Sequence, residues 1–340
     1  MSTLTSREWR LKLRPIGMPS HDSFELATAE IAAPGDGEVQ VRNHWLSVDP
    51  YMRGRMMDRE SYVPPFQIGA ALEGGAVGEV IASNDPGFAP GDMVNSMAGW
   101  REAYVAKPAD VMMQKLPAAG LPPQAFLGVA GMPGLTAYGG LLRIGQPKEG
   151  ETVFVSGAAG AVGSIVCQIA KIKGCTVIGS AGGADKCAWL ESIGVDKTID
   201  YKAVGGGQAL TDALKAAAPK GIDVYFDNVG GDHLVAALDA ARVGARFPIC
   251  GMISGYNATT PEPGPWNIIS VIPKRIRIEG FIVTDMADMM PDFIRDMASW
   301  IGAGQLKYEE TVNEGVETTL DAFLGLFKGG NTGKMLVKLV

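Results

Sequence analysis

Between 156 and 164 the chain reads Ser-Gly-Ala-Ala-Gly-Ala-Val-Gly-Ser, directly after the apolar run TVFVS and directly before SIVCQIAKIKG. Gly160 and Gly163 match the last two glycines of the G-x-G-x-x-G turn that joins strand to helix in dinucleotide-binding folds, and Ala158 stands in the first position. The chemistry such a turn offers is anion capture. Gly160 lets the backbone approach a pyrophosphate, and Gly163 lets helix and strand pack closely. With Ala161 and Val162 between them, they open a helix whose N–H groups and positive dipole end face the phosphates. The same turn could be a tight connection with no ligand, but the strand before it, the helix after it and a second strand in register favour binding.

The second strand, 176–180, ends Gly-Ser-Ala-Gly-Gly, without the acidic residue that hydrogen-bonds a ribose 2′-hydroxyl in NAD enzymes. The first acid is Asp185, read as the N-cap of the next helix. Lys186 follows it, and reads either as the partner of a 2′-phosphate or as a solvated lysine. NADP(H) is therefore the preferred cofactor. Metal chemistry has little to work with. Cys167, Cys175, Cys187 and Cys250 form no Cys-x-x-Cys pair, and His21, His44 and His233 are scattered, so no metal is expected.

These residues need elements to hold them. Before about 131 the segments 38–43, 75–81 and 101–106 are short, β-branched or alternating, and set between Gly/Pro/Asp turns, which predicts a β-rich region. From 152 onward apolar strands at 152–156, 176–180, 197–200, 222–227, 246–250 and 276–282 alternate with helical stretches. That alternation predicts an α/β, doubly wound parallel Rossmann sheet. The terminal run 334–340, KMLVKLV, reads as a strand returning to the first region. The expected division is 1–131 with 303–340 for the β-rich domain, and 132–302 for the inserted dinucleotide domain.

Composition narrows the partners. A net charge of −7 over 340 residues argues against nucleic acid or an anionic membrane as the main partner. The first 15 residues alternate charged and apolar types and lack the apolar core of a signal peptide, and no run is long enough to span a bilayer. The expectation is a cytoplasmic protein.

With these segments in hand, the chain resembles the medium-chain dehydrogenase/reductase superfamily, and within it the zinc-independent alkenal, prostaglandin and leukotriene reductases. The motifs are VDPYMRG at 48–54, GMPGLTAY at 131–138, AAGAVGS at 158–164, DNVGG at 227–231, CGMISGYN at 250–257, EGFIV at 279–283 and NTGKM at 331–335. The resemblance implies a β-rich, GroES-like catalytic domain around the Rossmann domain, and an NADPH-dependent reduction of the carbon–carbon double bond of α,β-unsaturated aldehydes and ketones. It also implies roles. Gly160 to Gly163 hold the pyrophosphate, and Lys186 and Tyr201 contact the 2′-phosphate. Asn228 sits by the cofactor, and Asn331 reaches it from the tail. Cys250, Gly251, Met252, Ile253, Ser254, Gly255 and Tyr256, with Phe281, Ile282 and Val283, line the nicotinamide side. Tyr256 best matches a tyrosine near the substrate carbonyl, and Tyr51 is a second candidate for the pocket.

Mechanistically, hydride addition to the β-carbon develops charge on the carbonyl oxygen, and Tyr256 is the expected hydrogen-bond donor there. Two rivals stay open: a quinone reductase of the same superfamily, and a non-catalytic NADPH-binding protein. A homodimer is expected, because dimers are common in the family and the sixth strand of such a sheet often leaves an exposed edge.

Overall fold

Six apolar runs become six parallel strands in a computed structural model that describes residues 4–117 and 120–340. They are β1 (Thr152–Val155), β2 (Thr176–Ala181), β3 (Lys197–Asp200), β4 (Ile222–Phe226), β5 (Ala241–Ile249) and β6 (Arg277–Gly280). Their order across the sheet is β3-β2-β1-β4-β5-β6, the doubly wound order of a dinucleotide fold. The central strands carry no alternation because both faces are covered. Val153, Phe154 and Val155 of β1 and all five residues of β4 are buried.

The connections are helices α1 (Gly163–Ile172), α2 (Ala184–Ser192), α3 (Gly207–Ala217) and α4 (Gly231–Ala240). Phe154, Ile178, Leu214, Tyr225, Leu238 and Phe247 form one core with them. The strand order reverses at β1, so the C-terminal ends of β1 and β4 mark the switch point where such sheets receive ligands.

The other region is antiparallel. Strand Val39–Ser47 pairs with Ala76–Ser83, with Ala103–Ala106 and with the returning Lys334–Lys338. Leu4–Leu11 forms a separate hairpin with Phe24–Ile31. Trp9, Leu46, Met52, Trp100 and Phe323 fill the core of this region.

The chain divides into two compact units: Met1–Leu127 with Glu310–Asn331 and Met335–Val340, and Gly128–Glu309 with Thr332–Lys334. The sequence division was drawn at 131/132 and 302/303. Long-range hydrogen bonds account for the later C-terminal boundary. Gln168 of α1 donates to Lys307 O and accepts from Lys307 N, each at 2.8 Å, which ties 303–309 to the nucleotide unit. The Gly333 N–H donates to Ala159 O at 2.8 Å, which does the same for the short return at 332–334. Among the described residues no helix is long and apolar enough to cross a membrane.

Candidate functional site

The glycine-rich turn leaves β1 at Ser156 and enters α1 at Gly163. The left-handed residue of this turn is Gly157, with φ +57°. This explains how Ala158 is tolerated where the fingerprint has glycine: the unusual backbone falls one residue earlier. At Gly163 a Cβ would lie on Gly157 O and 2.8 Å from Ala158 Cα, so only glycine allows the helix to approach the strand. Gly160 is different. A Cβ there would meet only Gly157 O, at 3.3 Å, so its outer side is open to a phosphate-sized group. Gly160 also bridges Gly333 of the tail, two residues beyond Asn331.

At the end of β4 the segment Asp227–Gly230 faces this turn. Buried Asp227 accepts four hydrogen bonds on Oδ1: from Tyr225 Oη (2.7 Å), Ser156 Oγ (3.0 Å), Val229 N (2.9 Å) and Gly230 N (2.8 Å). Burial pushes this carboxyl above its ordinary range, and the hydrogen bonds pull against that shift. Asn228 donates its N–H to Ser156 Oγ at 2.9 Å and its side-chain amide to Ser156 O at 2.8 Å. Its Nδ2 is thus engaged by the strand, and its Oδ1 is the atom it could offer a cofactor. Ser156 and Asp227 stand in the quoted motifs but carry no assigned role there; the polar residue ending each central strand was the available signal.

Ile253 N donates to Asn228 O, and Ser254 Oγ donates to Val229 O at 2.6 Å, so the stretch after β5 is stitched to the same turn. Cys250 and Gly251 then join Ile249, Gly280, Phe281, Ile282 and Asp285 around a pocket of about 420 Å³. The Tyr256 hydroxyl turns back over this wall: a Cβ on Gly251 would lie 3.0 Å from its Oη. Met252 packs against Gly230, and Gly255 has open space beside it. Val283 begins the short helix beyond the pocket. Burial pushes the Cys250 thiol up to about 12, so the thiol stays protonated beside the pocket.

The far end of the site lies at β2 and β3. Lys186 is the third residue of α2, and Tyr201 follows β3 directly. The Tyr201 hydroxyl lies across Gly182, where a Cβ would come within 2.8 Å of it and within 2.9 Å of Lys202 Cε. Burial, and then the neighbouring Lys202 ammonium, hold Lys186 below its ordinary range. Two lysines and a phenol therefore converge where NAD enzymes carry an acid. Lys202 was missed in the sequence, although it adjoins Tyr201. Asp185 is not the N-cap: Gly183 occupies that position, and its N–H donates to Asp200 Oδ1 at 2.9 Å. Asp200 also accepts from the N–H groups of Lys202 and Ala203, which keeps its charge occupied by backbone.

Tyr51 belongs to the other unit, where its ring packs against the core containing Trp9, Leu46 and Phe323. Burial and the nearby Asp49 raise its phenol pKa. Asn331 also belongs to that unit. Among the described residues no group of three or more His, Cys, Asp or Glu side chains could hold a metal ion.

Known proteins share this arrangement. Residues 7–114 match the family described as the N-terminal domain of oxidoreductase, and residues 161–299 match zinc-binding dehydrogenase. The NADPH-dependent curcumin reductase of Escherichia coli (strain K12) is 43% identical over 340 residues, covering 98% of this chain and 97% of the relative. The 2-alkenal reductase (NADP(+)-dependent) of Nicotiana tabacum is 42% identical over 339 residues, covering 98% and 97%. The crystal structure of CurA in complex with NADPH from Vibrio vulnificus superposes with a TM-score of 0.92 at 42% identity, covering 98% of this chain and 99% of that one. Motif, strand order and full-length likeness agree, and the chain belongs to the zinc-independent medium-chain dehydrogenase/reductases, in the branch of the NADP-dependent curcumin and alkenal reductases.

Proposed function

We propose that this protein reduces the carbon–carbon double bond of α,β-unsaturated aldehydes and ketones with NADPH. The observation that carries the reading is the pairing of an open glycine turn at the switch point with the Lys186–Tyr201–Lys202 cluster at the end of β2. The dinucleotide fits these residues. Gly160, Ala161, Val162 and Gly163 take the pyrophosphate, and Lys186, Tyr201 and Lys202 take the 2′-phosphate. Asn228 and the stretches 250–256 and 281–283 flank the nicotinamide, with Asn331 contributing from the tail. When bound, NADPH supplies the hydride that reaches the β-carbon.

The protein's own work is to orient the enone and to stabilise charge. As charge develops on the substrate's carbonyl oxygen, a hydroxyl fixed near that oxygen is worth more in the transition state than in the ground state. Tyr256 holds its hydroxyl over Gly251, at the pocket, and serves as that donor. The α-carbon takes its proton from Tyr256 or through water. Tyr51 lines the substrate side. In this reading the β-rich unit serves the substrate and the parallel-sheet unit the dinucleotide, in the cytoplasm.

The test is NADPH oxidation with a linear alkenal, an aryl enone, a quinone and a simple aldehyde, with NADH in parallel and product analysis. Saturated carbonyl product with NADPH preference is expected. Turnover of quinone alone moves the assignment to quinone reduction, and tight NADPH binding without turnover makes the protein a non-catalytic binder. In the same assay Tyr256→Phe should lower kcat about 10- to 100-fold with the KM for NADPH unchanged; full turnover removes Tyr256 from the mechanism.

The assembly we propose is a homodimer. Strand β6 is the sheet edge and is exposed throughout, and the segment that leads into it carries Trp266 (75% exposed), Ile269 (66%) and Ile272 (71%). A bare edge with apolar neighbours pairs readily with a second copy. Light scattering should give twice the chain mass, and Ile272→Asp should give monomer; a monomeric native protein refutes the proposal.

A further inference from the structure

Behind the 2′-phosphate residues lies a buried histidine that the reaction does not use. His233 is the third residue of α4 and only 5% exposed. Its Nε2 lies 2.9 Å from the hydroxyl of Ser180, which is fully buried in β2 two residues before Gly182. One face of the imidazole runs nearly parallel to the Phe154 ring, with centroids 6.4 Å apart and planes at 13°. The Tyr201 ring meets it edge-on, with centroids 5.4 Å apart and planes at 80°. Tyr201 in turn lies across Gly182. Ser180, His233, Tyr201 and Gly182 thus form a closed chain of contacts around the C-terminal end of β2.

We propose that His233 is a positioning residue for cofactor choice: tethered to Ser180, its ring holds Tyr201 where the tyrosine hydroxyl and Lys186 receive the ribose 2′-phosphate. The inference rests on the reading that Lys186 and Tyr201 take that phosphate. An aliphatic side chain could fill the space but could not be pinned, and it would leave the Ser180 hydroxyl buried without this partner. Edge-to-face packing fixes the direction of the tyrosine ring, and so the place of its hydroxyl. Burial holds the imidazole down at about 4, with Asp232 opposing, so the ring is neutral near pH 7 and adds no charge of its own beside Lys186 and Lys202.

The experiment measures kcat and KM for NADPH and for NADH, with one saturating enone, on the full-length enzyme. The variants are His233→Ala, His233→Phe and Ser180→Ala, with Lys186→Ala and Tyr201→Phe as controls. His233→Ala should raise the KM for NADPH about tenfold, leaving kcat and the KM for NADH within about twofold. His233→Phe keeps a ring against Tyr201 and should recover most of the loss. Ser180→Ala removes only the tether and should raise the KM for NADPH about threefold, which carries the test if His233→Ala does not fold. An unchanged KM for NADPH, or parallel changes for both cofactors, overturns the proposal. If the Lys186 and Tyr201 controls shift the preference and the His233 and Ser180 variants do not, this inference alone fails. If the controls also leave the preference intact, the 2′-phosphate reading fails with it.

Discussion

The two sides of the candidate site are built differently. On the phosphate side Ser156, Ala158 and Asp227 are fully buried, Gly163 has no room for a methyl group, and one carboxylate oxygen collects four donors. On the pocket side Met252 is 39% exposed, and Gly255 and Gly280 have nothing within 4 Å of where a Cβ would stand. The phosphate side is over-determined: each atom is fixed by several others, and a change has nowhere to relax. The pocket side is a surface laid on that frame, where a side chain can change without disturbing a strand. Under the proposed function, the pyrophosphate falls on the side that is fixed and the substrate on the side free to vary.

Substitutions on the two sides should differ accordingly in their cost. The largest effect is expected for Gly163→Val, whose Cβ falls on backbone atoms that cannot yield: about 3–4 kcal/mol of stability and most NADPH affinity are lost, read by urea unfolding and fluorescence titration. Asp227→Ala comes next, at about 3 kcal/mol, because Tyr225, Ser156, Val229 and Gly230 all lose their acceptor. A loss below about 1 kcal/mol would show that the turn does not depend on it.

A smaller effect depends on pH. His233 titrates at about 4 in the folded chain against an ordinary 6.5, so the unfolded chain takes up the proton first as the pH falls. The stability linked to this group is complete above about 6.5, declines between 6.5 and 4 by about 3 kcal/mol, and is level below. Unfolding midpoints of wild type and His233→Phe, compared at pH 7 and pH 4.5, isolate the term; parallel declines would exclude it. The smallest effect belongs to Gly280→Ala and Gly255→Ala, both expected to stay within about 0.5 kcal/mol of wild-type stability, read by urea unfolding. A large loss at either would erase the distinction between the two sides.

The same contrast governs how much could be read from the chain. The six strands and the glycine turn were legible because buried parallel strands are continuous apolar runs, and because strand–turn–helix grammar is local. Helix α1 carries Ser164 and Gln168 among its apolar residues, yet Gly163 through Ala170 are all buried. Its polar Gln168 does not face water but pairs with Lys307, a partner 139 residues away. Asp185 looked like a cap because helix grammar is also local, whereas the actual acceptor, Asp200, arrives from the next strand. His233 was counted only as a scattered histidine, since Ser180 lies 53 residues before it and nothing in the spacing connects them. The charge alternation near the N-terminus proved to be a strand, Leu4–Leu11, whose Trp9 is buried and whose Arg7 pairs with Glu102.

Strand Lys334–Lys338 lies between Val39–Ser47 and Glu310–Glu314 in the sheet, yet it is translated after the whole parallel sheet. The unit whose residues leave the ribosome first is therefore the one whose sheet is closed last. Until that strand arrives, Val39–Ser47 offers part of its edge to any chain nearby. A newly made molecule spends this interval with a finished nucleotide sheet and an unfinished neighbour, which makes it a natural client for chaperones.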